Sequence, residues 1–136
     1  MPRLRIFCLF LCLIAAASAQ TSWVKAPSQA DLKNIPGLRH FVFESTFMKA
    51  PVGCNVVLPP GYASDPNRRF PVVYWLHGGG GNESSSLFTA KAWTDLIQAK
   101  EIDPVILVYP SAFRSGYMDH ADGKIMVESM IIRELI

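Results

Sequence analysis

Four consecutive glycines, Gly78–Gly81, follow a short apolar run with only His77 between them, and they limit what this chain can fold into. The run itself, Pro71–Leu76, shows no alternation of apolar and polar residues, which predicts a strand covered on both faces of a sheet. Each glycine costs on the order of 1 kcal/mol of chain entropy relative to alanine. Such a run is therefore typical of a place where the backbone bends sharply or where main-chain N–H groups approach a ligand.

The segments around the glycines predict an α/β fold. Residues 40–48 and 56–58 favour two antiparallel strands joined by a turn at Pro51–Gly53, forming a hairpin at the edge of a sheet. Residues 87–100 have helical spacing, and residues 104–109 are a second apolar run. Strand, helix and strand with short connections form a βαβ unit, so we expect its two strands to be parallel.

Several residues are expected in the core. Those on the apolar stripe of the helix are Leu87, Ala90, Trp93, Leu96 and Ile97. Trp75 is expected to be a core aromatic residue. Cys54 is interpreted as a buried small hydrophobe, with pairing to a cysteine beyond Ile136 as the alternative.

The first nineteen residues have the three parts of a secretory signal peptide. Arg3 and Arg5 give a positive start, residues 6–14 are apolar, and Ala17–Ala19 is a small-residue cleavage site. The apolar stretch is shorter than the roughly 20 residues that span a bilayer. We expect a secreted or periplasmic protein without stable membrane association after cleavage. Residues 20–38 are interpreted as a lead-in and residues 39–136 as the folded domain.

The charge balance argues against nucleic-acid binding. Without Arg3 and Arg5, the 13 basic residues become 13 − 2 = 11, equal to the 11 acidic residues. Nucleotide motifs also fail, because no lysine follows the glycines before Lys91, and Asn82 and Glu83 stand where a dinucleotide fingerprint needs glycine. We expect no metal and no organic cofactor.

The last segment, Ile125–Ile136, is predicted to be a helix, and it reaches Ile136 with an apolar face and no terminating Gly or Asn. Two parallel strands and a hairpin would also leave one sheet edge open. These features predict an incomplete fold, and the alternative is a small domain with a frayed final helix.

The ordered motifs resemble those of a known family. Leu76–Gly80 is similar to the H-G-G-G oxyanion motif of α/β-hydrolase esterases. Leu58–Tyr62, Phe70–Tyr74 and Gly116–Asp119 strengthen the resemblance to the putative-esterase branch, which includes esterase D, feruloyl esterases and mycolyl-transferase antigens. The resemblance spans about residues 40–136.

This resemblance implies a secreted serine hydrolase that acts on small-molecule or polysaccharide-linked carboxylic esters through an acyl-enzyme. It implies the amide of Gly79 or of Gly80 as an oxyanion donor, with a second donor supplied by the nucleophile turn. It also implies Tyr117 and Asp119 as residues that line the substrate cleft. The nucleophile motif G-x-S-x-G is absent from these residues, so we expect this chain alone to be inactive. The alternative function is a non-catalytic secreted binding or interaction module.

Other polar residues have competing interpretations. Ser84–Ser86 are expected to cap the helix rather than supply a nucleophile. His77 is expected to pack and form hydrogen bonds beside the loop rather than act as a base. Asp119, His120 and Asp122 are close enough in sequence to suggest a metal site, and the alternative is a surface turn at Asp122–Gly123.

Overall fold

The computed structural model describes residues 23–136, and the predicted signal peptide at residues 1–19 lies outside the described residues. The strands are β1 (Leu38–Ser45), β2 (Ala50–Val57), β3 (Val72–Tyr74) and β4 (Ile106–Pro110). The helices are α1 (Gln29–Asn34), α2 (Leu87–Gln98) and α3 (Val127–Met130), and α3 continues as a π-helical segment (Ile131–Leu135). Within the described range, none of these helices has the length and apolar character needed to cross a membrane.

The four strands form one mixed sheet in the order β1-β2-β4-β3. β1 and β4 each pair with β2 in antiparallel fashion, whereas β3 and β4 are parallel. The parallel pair is connected through α2, so the predicted hairpin followed by a βαβ unit is confirmed. The predicted α/β fold class is confirmed with it.

Two apolar clusters hold helices against opposite faces of the sheet. In the register, Val57 faces Leu38 on one side and Leu107 on the other, so these three side chains share a face. The cluster on that face joins the sheet to α2 and consists of Ile35, Leu38, Val57, Leu87, Ala90, Leu107 and Tyr109, with Trp75 and Trp93 packed against it. The second cluster joins the hairpin to α3 and consists of Trp23, Met48, Val52, Ala112, Val127 and Met130. The sheet is therefore the middle of three layers.

The hairpin turn lies earlier in the chain than the sequence pattern predicts. It occupies residues 46–49, where the Ser45 hydroxyl accepts a hydrogen bond from the Met48 amide at 3.0 Å. The predicted turn at Pro51–Gly53 is wrong, because these residues belong to β2. Gly53 donates away from β1, to the carbonyl of Trp23, and Pro51 faces the same way two residues earlier. Its missing N–H therefore falls where β2 has no strand partner, which is the position that a sheet tolerates for proline.

β3 differs from the expectation of a strand covered on both faces. It is three residues long and has only β4 as a neighbour within the described part of the chain. Val72 is 46% exposed, and Leu76, beyond the end of the strand, is 51% exposed. The buried pattern belongs instead to β4, whose Leu107, Val108 and Tyr109 are enclosed between β2 and β3.

α2 begins at Leu87 as predicted, and most of its stripe is buried. Leu87, Ala90 and Ile97 are buried, and Trp93 packs against the first cluster. Leu96 is 40% exposed, so its assignment to the core is wrong. Thr94 is buried in its place, where its hydroxyl donates to the Lys91 carbonyl. This hydrogen bond satisfies the hydroxyl group within the helix.

The first helix was missed by the sequence pattern. α1 lies within the segment interpreted as a lead-in, and Ser28 and Asp31 form a reciprocal capping box at its start. The signature S-x-x-D was present in the sequence and is the usual mark of such a start. The predicted C-terminal helix is shorter at its start than expected, since α3 begins at Val127.

Leu87 and Leu96 provide a matched test of the packing. Leu87 is 2% exposed, so Leu87→Ala is expected to lower the free energy of unfolding by about 2–5 kcal/mol. The same truncation at Leu96 is expected to cost less than about 1 kcal/mol, because that side chain is already in contact with water. Chemical denaturation of both variants measures the difference, and equal losses would contradict the assigned core.

Candidate functional site

The candidate site lies where the two parallel strands end at their carboxyl edge. The loop after β3 contains the glycine turn, Gly78–Gly81, and the loop after β4, residues 111–118, is called here the β4 loop. Because parallel strands finish at the same edge of a sheet, the two loops lie side by side. This edge is where open α/β sheets bind ligands.

His77 connects the two loops through both of its ring nitrogens. Nε2 accepts a hydrogen bond from the Ala112 amide at 3.1 Å, and Nδ1 lies 2.8 Å from the Gly78 carbonyl oxygen. An imidazole with its proton on Nδ1 satisfies both bonds at once. The prediction that His77 packs and forms hydrogen bonds beside the loop is confirmed. Neither nitrogen remains free to act as a base.

The glycine turn leaves two main-chain donors available. The Gly81 amide donates to the Gly78 carbonyl at 3.1 Å, which closes a four-residue turn. Gly80 has a φ of 79°, the left-handed conformation that a type II turn requires at its third position. Within residues 23–136, the amides of Gly79 and Gly80 donate to no protein acceptor. Both glycines are exposed, so either amide is available as the predicted oxyanion donor.

Tyr117 lies against the residue that precedes the glycine turn. Its hydroxyl donates to the His77 carbonyl at 3.1 Å, and the two rings are 5.4 Å apart. Burial raises the pKa of Tyr117 to about 12. Tyr117 and Phe113 have φ values of 61° and 45°, an uncommon conformation for residues with a side chain. Such strain is typical of loops that the surrounding structure holds in place.

Asp119 is directed at α3 rather than at the glycine turn. Its carboxylate accepts hydrogen bonds from the amide of Ser129 at 3.0 Å and from the hydroxyl of Ser129 at 2.6 Å. The Ser129 hydroxyl and amide bonds hold the pKa of Asp119 below its usual range. The carboxylate thus holds the first turn of α3 in place.

The cluster at residues 119–122 does not form a metal site in the described part of the chain. Asp119 is bound to Ser129, and Asp122 lies 3.9 Å from the ammonium group of Lys124. Across residues 23–136, no three acidic, histidine or cysteine side chains come together in a way that could hold a metal ion.

The serines before α2 have structural partners. Ser86 occupies the N-cap position as predicted, but its side chain makes no capping bond. Ser84 donates to the Lys25 carbonyl at 2.6 Å and accepts from the Asn55 side chain at 3.0 Å. Ser85 accepts from the Asn82 amide at 2.9 Å. Since both nitrogens of His77 are already bonded, none of these hydroxyls has that residue as a base.

Two charged residues beside the glycine turn were not singled out from the sequence. The Arg114 Nε atom lies 3.4 Å from the point that a Cβ on Gly80 would occupy, and Arg114 forms no ion pair with any described residue. Glu83 is fully buried two residues after the turn. The only signal for Glu83 in the sequence was one acidic residue in a short loop of otherwise uncharged residues. Such a pattern does not distinguish a buried carboxylate from an exposed one.

Comparison with known proteins identifies the same region. A family model described as "Putative esterase" matches residues 45–119, which include β2, the glycine turn, α2 and the β4 loop.

Two sequence relatives overlap this region. An esterase of Mycobacterium tuberculosis is 32% identical over 85 residues, covering 62% of this chain and 18% of its own length. Endo-1,4-beta-xylanase Y of Acetivibrio thermocellus is 38% identical over 66 residues, covering 46% of this chain and 6% of its own length. The chain thus spans less than a fifth of the length of either relative.

Solved structures of similar fold are ferulic acid esterases. One has a TM-score of 0.62 and 20% identity, with 72% of this chain and 41% of the other covered. A ferulic acid esterase from Anaeromyces mucronatus, solved with ferulic acid, has a TM-score of 0.56 and 26% identity, with 74% and 40% covered. Their likeness supports the α/β assignment of the sheet and its helices.

The raised pKa of Tyr117 predicts a loss of stability in alkali. The folded protein favours the neutral phenol. The contribution of Tyr117 to stability is therefore complete below about pH 10 and is lost as the pH rises towards 12. The Tyr117→Phe variant lacks the hydroxyl and its hydrogen bond, so its free energy of unfolding at pH 7 is expected to be lower by about 1 kcal/mol. Because phenylalanine cannot ionise, this variant is expected to lose less stability than the unmodified protein between pH 10 and 12. Thermal unfolding over this range measures both effects. Tyr62→Phe, at an exposed tyrosine, is the control, and identical pH profiles for the two variants would contradict the assignment.

Cys54 is buried as predicted, and its thiol is expected to be inert in the folded protein. Burial, together with the charge of Glu83, raises the pKa of Cys54 to about 12, so the reactive thiolate is scarce at pH 8. Residues 20–136 are expected to react with an aromatic disulfide reagent only after denaturation, then to the extent of about one thiol per chain. Rapid reaction of the native protein would show that Cys54 is accessible.

Proposed function

Because this chain belongs to the "Putative esterase" family of the α/β-hydrolase superfamily, we propose that its glycine turn is the oxyanion site of a secreted serine carboxylesterase. The observation that carries this proposal is the pair of unpaired amides at Gly79 and Gly80, exposed at the carboxyl edge of parallel strands. A turn held by His77 and Tyr117 keeps these donors fixed before a substrate arrives. Fixed donors stabilise developing charge without reorganisation during the reaction.

In the proposed reaction, a serine hydroxyl outside these 136 residues attacks the ester carbonyl carbon while a base removes its proton. The carbonyl electrons move onto oxygen, and the resulting oxyanion accepts hydrogen bonds from Gly79, Gly80 or a further donor near the serine. The carbon–oxygen bond to the alcohol then breaks, and the alcohol leaves with the proton. Water then attacks the acyl carbon as the base takes its proton, the carbon–oxygen bond to the serine breaks, and the serine recovers the proton as the acid leaves. Each oxyanion donor is worth roughly 3 kcal/mol.

The proposed substrates are esters of carboxylic acids, including acids attached to polysaccharides. The similar ferulic acid esterase structures support this class, as does the similarity to a segment of a xylanase. The signal-like residues 1–19 support export to where such esters occur. Tyr117, beside His77, is proposed to line the cleft. Asp119 directly follows the β4 loop, and we propose that it supports this side of the cleft by holding α3 through Ser129.

The experiment begins with the coding sequence beyond the Ile136 codon. We expect an open frame that encodes G-x-S-x-G, followed by an acidic residue and a histidine. Residues 20–136 alone are expected to hydrolyse methyl ferulate no faster than buffer, whereas the product of the whole frame is expected to hydrolyse it and to be stopped by a fluorophosphonate. A stop codon at that point would overturn the esterase proposal and favour the non-catalytic binding module.

A glycine variant of the whole product tests the oxyanion role. Gly80→Ala places a side chain at a φ of 79° and displaces the turn, so kcat is expected to fall roughly 10²-fold with little change in KM. Gly61→Ala is the matched control, because Gly61 has a φ of 83° but lies in the loop before β3, at the other end of that strand. Equal activity of the two variants would remove Gly80 from the site.

A further inference from the structure

Glu83 carries a buried carboxylate two residues beyond the glycine turn. The residue is 1% exposed, and Oε1 lies 3.5 Å from Nε2 of His40 on β1. Oε1 also accepts a hydrogen bond from the Lys25 amide. Oε2 has no hydrogen-bond partner among the described residues. Burying an ionisable group costs several kcal/mol unless it is paired, so its presence under this loop needs a reason.

The sheet leaves room for this carboxylate at one position. Gly53 on β2 lies directly beneath it, and a Cβ there would come within 2.0 Å of Oε1. No L-residue with a side chain fits at this position unless Glu83 moves. The space left by the missing side chain of Gly53 is therefore the space that the Glu83 carboxylate occupies.

The Glu83 carboxylate holds residues 23–25, a segment called here the N-terminal strap. The carbonyl of Trp23 accepts from the Gly53 amide at 2.8 Å, and the Lys25 carbonyl accepts from the Ser84 hydroxyl at 2.6 Å. The strap also reaches the second loop of the site, since the Trp23 ring packs edge-on against Phe113 at 6.1 Å. One short segment thus contacts both loops at the carboxyl edge of the sheet.

The loop is fixed from the sheet side as well. The Asn55 side chain on β2 donates to the Glu83 carbonyl at 3.0 Å and to the Ser84 hydroxyl at 3.0 Å. Residues 83–84 are therefore bonded to β2 below and to the strap alongside. Gly81, which closes the glycine turn, is separated from this fixed point by one residue.

We propose that Glu83 is a positioning residue which, with Ser84, clamps the N-terminal strap to the loop and so fixes the amides of Gly79 and Gly80. The function of this clamp rests on the proposed oxyanion role of those amides, but its existence does not. A carboxylate suits the task, because a hydrogen bond from a main-chain amide to a charged acceptor is about twice as strong as one to a neutral acceptor.

The test measures backbone order in the ¹⁵N-labelled protein by NMR relaxation. In the unmodified protein, the order parameters of Gly79 and Gly80 are expected near 0.85, as in rigid backbone, and in Glu83→Ala below about 0.6. Glu83→Gln keeps an oxygen for the Lys25 amide and is expected to restore most of the lost order. Unchanged order in Glu83→Ala, or equal loss in both variants, would overturn the proposal.

Glu134 provides a matched control. Its carboxylate also joins distant segments, accepting from the Ser45 hydroxyl at 2.6 Å and from the Thr46 amide at 2.8 Å, but it lies at the hairpin. Glu134→Ala is expected to destabilise the protein while the order parameters of Gly79 and Gly80 stay unchanged. If the glycines lose order in this variant too, the effect reports general loosening and the proposal is wrong.

A second variant covers the case in which Glu83→Ala does not fold. Ser84→Ala removes the bonds to the Lys25 carbonyl and from the Asn55 side chain but leaves the Glu83 side chain in place, and the order parameters of Gly79 and Gly80 are expected to fall to about 0.7. Unchanged values would overturn the clamp. None of these measurements uses catalysis. If the product of the whole frame is inactive but the glycines lose order in the variants, the esterase proposal is contradicted and the clamp is supported.

Discussion

The imidazole of His77 joins the ends of the two parallel strands, and the arrangement of the site depends on this bridge. One nitrogen accepts from the Ala112 amide after β4, and the other bonds to the Gly78 carbonyl in the glycine turn. Tyr117 adds a third link by donating to the His77 carbonyl. A neutral, buried ring with both nitrogens satisfied loses little by burial and fixes two loops relative to each other.

The bridge works because both loops start from packed strands. α2 covers one face of the sheet through Leu87 and Ala90, and α3 covers the other through Val127 and Met130. The two apolar clusters set where β3 and β4 end, to within the small displacements that close packing allows. Hydrogen bonds then determine the paths of the loops. Apolar burial is non-directional and therefore positions whole strands and helices. Hydrogen bonds are directional and therefore determine the local conformation of the loops.

The glycine turn combines free donors with a rigid surround. Gly79 and Gly80 keep their amides unpaired, while the residues before and after them are bonded to the β4 loop, to β2 and to the N-terminal strap. An unpaired amide that is exposed costs little, and one that is held still is ready to meet a negative oxygen. The buried Glu83 is the least expected part of this surround, because a carboxylate is normally found in water.

Local patterns explain which parts of the structure could be anticipated. The hairpin, the βαβ unit and the start of α2 follow from apolar runs and helical spacing, and all three are present. The turn at residues 46–49 was misplaced because Pro51 and Gly53 usually mark turns. Here both residues belong to β2. The missing N–H of Pro51 lies on the side without a strand partner, and Gly53 lies beneath Glu83. β3 was expected to be covered because its residues are apolar, but apolar content does not reveal how many neighbouring strands a strand has.

The sequence by itself determined the fold class, the family resemblance and the glycine run as the candidate site. These are properties of order along the chain, and periodicity and motif spacing record them directly. The tertiary structure alone decided that His77 bridges two strands, that Asp119 turns to α3 and that Glu83 is buried against Gly53. Each of these contacts joins residues whose meeting depends on the packing of the sheet, and no local pattern carries that information.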